Sequence, residues 1–266
     1  MSKSNDSIAK TIGVVLAISL VCSVVVSAAA VALKPAQQRN KLLDKQRNIL
    51  DAAGLLKPGM NAKAVLSVYN SHIVPKIVDL STGDYVKEVA GEDPAHYNQR
   101  KASKDPKLNK ELSPKVDVAK LKRRAQYASV YLAKNDAGQV TSVVLPVRGY
   151  GLWSMMYAFV AVKPDGNTIS GLTYYEQGET PGLGGEVENP NWRAKWVGKK
   201  IYNAQGQPAI KVVKGGAPAG SKHDVDALSG ATLTSNGVQH TFTFWMGQEG
   251  FGPYLDKVRK GELSNG

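Results

Sequence analysis

The chain has 266 residues, of which 42% are hydrophobic, enough to bury a core and too many for wholesale disorder. Its formal net charge of +12 is dispersed, and no basic helix or aromatic platform motif accompanies it, so nucleic acid is not an expected partner. The one cysteine, Cys22, excludes an internal disulfide, a Cys-x-x-Cys site and a cysteine-ligated cluster, and His72, His96, His223 and His240 lack metal-ligand spacing, so no metal is expected.

Residues 1–10 read as a short tail. Residues 11–33 contain no charge and are mostly Val, Ile, Leu and Ala. As a helix rising about 1.5 Å per residue, they span a hydrocarbon layer of roughly 30 Å. A cleaved signal peptide is the competing reading, with Ala28-Ala29-Ala30 as a cleavage region. Signal cores run only about 7–15 residues, so an uncleaved single-pass anchor in the lipid bilayer is favoured. Lys34, Arg39, Lys41, Lys45 and Arg47 follow it, where lipid headgroups would lie. Lys3 and Lys10 precede it, and this imbalance would put the C-terminal side in the cytoplasm, although the rule weakens when a long domain follows.

Residues 34–57 read as a juxtamembrane helix and linker, flexible enough to let a domain move, with the helix over 36–53 and an end near Gly54. Asn61 is a candidate N-cap for a helix over 61–69. Residues 71–89 suggest a hairpin around Ser81-Thr82-Gly83-Asp84. The polar stretch 91–114 reads as an exposed excursion, and the basic residues from Arg100 to Arg124 as solvated surface. Residues 58–124 thus form the N-terminal part of the soluble region, and 125–260 a second part. In that part, strands are expected over 128–133 and 140–147, an interruption at Gly149-Tyr150-Gly151, and further strands over 154–162 and 169–175. Turns at Asn135-Asp136-Ala137-Gly138 and Pro164-Asp165-Gly166-Asn167 make this an antiparallel meander. A short helix over 191–197 carries Trp192 and Trp196, and a short strand is expected over 209–213. Val238, Phe242, Trp245 and Met246 recur at helical spacing. The fold class is α+β: an antiparallel sheet with flanking helices, preceded by one N-terminal transmembrane helix.

Three segments can carry chemistry. Ser229-Gly230-Ala231-Thr232 stands at or just before that last helix. Its plain reading is a capping turn. Its functional reading is a phosphate site, where helix N–H groups and the dipole meet an anion and the Thr232 hydroxyl can be esterified. Glu179-Thr180-Pro181-Gly182-Leu183-Gly184-Gly185 is either an ordinary turn or a loop whose Gly182 and Gly184 let backbone approach a flat ring, with Leu183 on its face. Gly149-Tyr150-Gly151-Leu152-Trp153 reads structurally as a strand bulge with a core tryptophan, and a ring contact through Trp153 comes only with the resemblance given below.

Asp226, Ser229, Gly230, Ala231 and Thr232 match the Asp-x-x-Ser/Thr-Gly-Ala-Thr signature of proteins flavinylated by a dedicated transferase. The resemblance implies FMN, taken from FAD and joined by a phosphoester to Thr232, with Asp226 in the recognition signature. Thr234 and Ser235 are the next choices for attachment. It also implies that the Glu-Thr-Pro-Gly-Leu-Gly run and the Gly-Leu-Trp segment lie near the flavin. With the anchor and the chain length, the sequence resembles a family of covalent-FMN subunits of the bacterial sodium-translocating NADH:quinone oxidoreductases. The flavin subunit of the complex linking ferredoxin to NAD shares the motif.

What the resemblance implies is an FMN-binding domain in a six-subunit inner-membrane complex, placed on the periplasmic side against the charge count. The chain would relay electrons from a membrane iron–sulfur centre to a second covalent FMN on a sister subunit, and would not be catalytic alone. The remaining alternatives are a non-redox, membrane-anchored envelope-binding module and a structural subunit whose Ser-Gly-Ala-Thr is only a cap.

Overall fold

The computed structural model describes residues 7–262. The expected tail, including Lys3, lies outside the described residues up to position 6, while residues 8–10 are already helical. Two compact units divide between Lys45 and Gln46. Helix α1, Ile8–Ala52, continues through Pro35. Among the described residues it is the one helix long and apolar enough to cross a membrane, with a mean hydropathy of 2.7 over its most apolar window. The juxtamembrane helix expected over 36–53 is the second half of α1, which runs to Ala52; Pro35 costs one hydrogen bond, and no other helix breaker intervenes before Gly54.

The second unit begins with the last turns of α1, where Ile49, Leu50 and Ala52 are buried. Arg193 fastens this end: it donates to Asp51 Oδ2 at 2.5 Å, to Thr173 Oγ1 at 2.7 Å and to the Leu172 carbonyl at 2.6 Å. Helix α2, Ala62–His72, starts from Asn61, whose side chain accepts the Ala64 N–H at 2.9 Å. Then come β1 (Ile73–Asp79), β2 (Tyr85–Val86), a short α3 (Gln99–Ala102), and the paired strands β3 (Asn109–Glu111) and β4 (Arg123–Ala125). The meander follows as β5 (Tyr127–Lys134), β6 (Val140–Tyr150), β7 (Met155–Val162) and β8 (Ile169–Glu176). A short α4 (Pro190–Ala194), the parallel pair β9 (Lys211–Val213) and β10 (Asp224–Asp226), α5 (Thr232–Trp245) and α6 (Gly252–Arg259) complete the chain.

The main sheet is antiparallel, in the order β2-β1-β5-β6-β7-β8. It therefore crosses the division expected at residue 125. Strand alternation sends Ala128, Val130, Leu132, Val143, Leu145, Val147, Met156, Ala158 and Val160 to one face, where they meet Val238, Phe242 and Trp245 of α5. The Trp245 indole donates to the Arg148 carbonyl at 2.7 Å, and Trp196, fully buried, stacks on Phe242 at 4.4 Å. Ile77 on the opposite face meets Tyr97, Ala102 and Ala125 of β4.

Three expectations change. The 91–114 stretch is only partly exposed: Tyr97 and Ala102 are buried where the segment covers the second face of the sheet, and Leu112 is buried in the main core. Nor is its basic group all solvated. Arg124 is 3% exposed and pairs with Glu249 at 3.4 Å, and the Arg100 guanidinium lies 3.4 Å from the centre of the Tyr157 ring. Gly149 and Tyr150 do not interrupt their strand. They pair with Met156 and Met155, so the break falls at 151–154, where β6 turns into β7.

Candidate functional site

Two of the three marked segments, and the first turn of the helix that follows the third, meet around one carboxylate. Glu179, 5% exposed, leaves β8 on a short loop and points into the 151–154 turn. The N–H groups of Leu152, Trp153 and Ser154 each donate to it at 3.0 Å, and the Ser154 hydroxyl does so at 3.3 Å. From α5, Thr234 Oγ1 donates to Glu179 Oε2 at 2.6 Å. Burial opposes ionisation of Glu179, but the bonds from Thr234 and the three amides outweigh it and hold the carboxyl below the usual range. Gly184 closes the same floor. A Cβ there would stand 2.5 Å from Thr234 Oγ1 and 2.9 Å from Glu179 Cβ, so only glycine lets the loop approach α5 this closely.

The Ser-Gly-Ala-Thr segment forms a turn: the Ala231 N–H donates to the Leu228 carbonyl at 3.2 Å, and Gly230 has φ 71°, a conformation natural to glycine. Thr232 is the first residue of α5, and the preceding Ala231 offers no side-chain cap. The first-turn N–H groups and the positive dipole end are thus left without a side-chain cap. Ser229, Gly230, Thr232 and Leu233 are exposed. Thr234 and Ser235 are buried at 2% each; Thr234 is bound to Glu179, and Ser235 Oγ accepts the Leu228 N–H at 3.0 Å.

The loop from Thr180 turns tightly, with the Leu183 and Gly185 N–H groups both donating to the Thr180 carbonyl at 3.1 and 3.0 Å. Its Leu183 reaches over the Ser-Gly-Ala-Thr turn, since a Cβ on Gly230 would lie 2.9 Å from Leu183 Cδ2. Gly182 and Thr180 are exposed at the tip. Trp153 is 65% exposed, which removes the core-tryptophan reading of its segment. With Leu152, Leu183 and Leu233 it gives the site apolar surface open to solvent.

Asp226 stands apart from this cluster. Its Oδ1 accepts the Ala217 N–H at 2.6 Å, its Oδ2 pairs with Lys195 at 2.5 Å, and its carbonyl accepts the Trp192 indole N–H at 2.8 Å. The Ala217 amide first, and Lys195 after it, hold its carboxyl below the usual range. Asp226 therefore fixes the entry to the Ser-Gly-Ala-Thr turn. Lys195, Ser154 and Thr234 as supports were not read from the sequence. Their partners lie 31, 25 and 55 residues away, and no local pattern signals them.

The residues present suit an FMN phosphate: an exposed hydroxyl at an uncapped helix start, small residues beside it, and apolar side chains around it. Residues 151–246 match the FMN-binding domain family. Over nearly the whole chain the sequence is similar to the NqrC subunit of the Na(+)-translocating NADH-quinone reductase of Vibrio parahaemolyticus, 59% identical over 265 residues, 99% of this chain and 100% of the relative. The corresponding subunit of Pasteurella multocida is 53% identical over 266 residues, 100% of both chains. Among solved structures, Shewanella oneidensis NqrC superposes with a TM-score of 0.76 at 39% identity, covering 85% of this chain and 99% of that one. The same subunit of Parabacteroides distasonis gives 0.65 at 28% identity, covering 84% and 96%. Identity of this extent over full length settles the family: the chain belongs to the NqrC family of Na(+)-translocating NADH-quinone reductase subunits.

Proposed function

We propose that this chain is a membrane-anchored electron carrier whose FMN is esterified to Thr232, and that it serves as one redox station of a sodium-translocating NADH–quinone reductase. The observation that carries the assignment is the contrast among hydroxyls at the start of α5: Thr232 is exposed at the uncapped end, whereas Thr234 and Ser235 are buried and bonded. Ser229 is exposed too, but it stands three residues ahead of the helix, away from the first-turn amides. The flavin phosphate would be held by those amides, with Gly230 and Ala231 allowing close approach, and the ring would lie against Leu183 and Trp153 near Thr180, Gly182 and Gly184. In the attachment reaction, catalysed by a flavin transferase, the Thr232 Oγ–P bond forms as the P–O bond to AMP in FAD breaks, and the hydroxyl proton leaves with AMP. The bound FMN supplies reversible one- and two-electron chemistry.

The chain's own residues do the holding. Glu179 fixes the loops, Asp226 fixes the entry to the turn, and the exposed lip leaves an approach for the other membrane subunits. Electrons would come from an iron–sulfur centre in those subunits and pass to a second covalent FMN on a sister subunit. A covalent tether suits such a relay, because an esterified carrier does not dissociate between donor and acceptor. The apolar run of α1 anchors the chain in the inner membrane, and the soluble unit stands on the periplasmic side.

The test is direct. After denaturing electrophoresis, wild-type chain made with its transferase shows a flavin-fluorescent band. Thr232→Ala abolishes the band, while Thr234→Ala and Ser229→Ala retain it at end point. A fluorescent Thr232→Ala band would move the attachment elsewhere, and a dark wild-type band would favour the non-redox binding module. For topology, a cysteine replacing exposed Lys211 should react with an impermeant reagent in intact spheroplasts; no reaction there, with reaction after lysis, would place the domain in the cytoplasm.

A further inference from the structure

We propose that Glu179 is a positioning residue for flavin attachment, which sets the rotation of α5 so that Thr232 faces outward before any flavin arrives. The inference rests on the Thr232 assignment above. A carboxylate has about four lone-pair sites. The amides of Leu152, Trp153 and Ser154 and the hydroxyls of Ser154 and Thr234 already fill those of Glu179. With its acceptors used by its own chain and its surface buried, Glu179 has nothing left to offer the flavin. Its place in the Glu-Thr-Pro-Gly-Leu-Gly motif reflects support and not contact.

The geometry makes the support specific. Thr232 and Thr234 are two residues apart on one helix, hence separated by roughly 200° around its axis. Drawing Thr234 inward to Glu179 therefore turns Thr232 to the opposite, solvent side. The same bond withdraws Thr234 from the reach of a transferase, so one carboxylate presents one threonine and conceals the other. Because Glu179 also holds the 151–154 turn, it fixes Trp153 relative to the attachment helix.

The experiment uses full-length chain in detergent, FAD and the purified flavin transferase, with the initial rate of attachment read by in-gel fluorescence and intact mass. Glu179→Gln brings an amide N–H2 group against three backbone N–H groups and should slow attachment at least tenfold with an unchanged far-UV spectrum. Glu179→Asp, which keeps the charge, should recover part of the rate. Thr234→Val removes only the bond between Glu179 and α5, and should slow the rate severalfold while the end point is still reached. Thr173→Val removes a bonded hydroxyl on β8 outside the site and should keep the wild-type rate, which separates positioning from general loss of stability. A wild-type rate in Glu179→Gln overturns the proposal. If that variant does not fold, a wild-type rate in Thr234→Val overturns it instead. Failure of the wild-type chain to label overturns the Thr232 assignment, and this inference with it.

Discussion

The lip of the site and its floor are built from neighbouring residues with opposite properties. At the lip, Trp153, Leu183, Thr232 and Leu233 are exposed, and α5 begins without a side-chain cap. On the floor, Glu179, Gly184, Thr234 and Ser235 are buried, and every polar side chain among them has a partner. Thr232 and Thr234 share one helical turn and fall on different sides of this divide. The chemistry of a residue here follows from which way the helix presents it. The floor is where stability resides, and the lip can keep unsatisfied amides and exposed apolar groups because the floor does not depend on it.

That separation can be broken from the floor. Gly184→Ala should have the largest effect on stability. Its new methyl group meets Thr234 Oγ1 and Glu179 Cβ inside contact distance, and such overpacking costs about 1–3 kcal/mol. Denaturant unfolding of the chain in detergent reads this. An unchanged midpoint would mean that the loop yields and the floor is soft.

Acid should act next. Asp165, lowered to about 2, and Glu179 and Asp226, also held low, bind protons less readily in the folded chain than in the unfolded one. For Asp165, burial works against ionisation, and hydrogen bonds from Thr168, Asn167 and Lys200 overcome it. Such groups stabilise the fold above their unfolded pKa, and the contribution is lost as pH falls through the folded value. Thermal unfolding should therefore be nearly level from about pH 7 to 5 and drop between about pH 4 and 2. The drop should be smaller in Glu179→Gln, and the difference between the two curves isolates the share of the floor. Equal drops would show that Glu179 titrates alike in both states.

The smallest effect on stability belongs to the lip. Trp153→Ala should change unfolding by no more than about 0.5 kcal/mol, as expected for an exposed side chain without a structural role. The same variant should alter the absorption or fluorescence of the bound flavin. A large loss of stability with an unchanged flavin spectrum would make Trp153 part of the floor after all.

Much of this arrangement was legible in the amino-acid order. The apolar run of residues 11–33 needs only composition and length to be recognised, and α5 announces itself by the spacing of Val238, Phe242 and Trp245. The meander follows from alternation and from the turns at Gly138 and Gly166. The hairpin at 151–154 was misplaced by two residues because Gly149 suggested a break, whereas the backbone there continues its pairing with Met156. The 91–114 stretch looked solvated because its charges outnumber its apolar residues. Yet Tyr97 and Ala102 pack against Ile77 of the sheet, and Leu112 joins the main core.

Sequence by itself determined the anchor, the class of fold, the family resemblance and the candidate threonine, because each depends on composition, local period or a contiguous motif. Tertiary structure alone decided that β1 lies between β2 and β5, that Asp226 is spent on Ala217 and Lys195, and that Glu179 gathers donors from the 151–154 turn and from Thr234. Those pairings join residues tens of positions apart. Their formation depends on strand order and helix rotation, which no local period encodes. Thr232 was legible as a motif residue, but its outward presentation, opposite a buried Thr234, is a property of the folded chain.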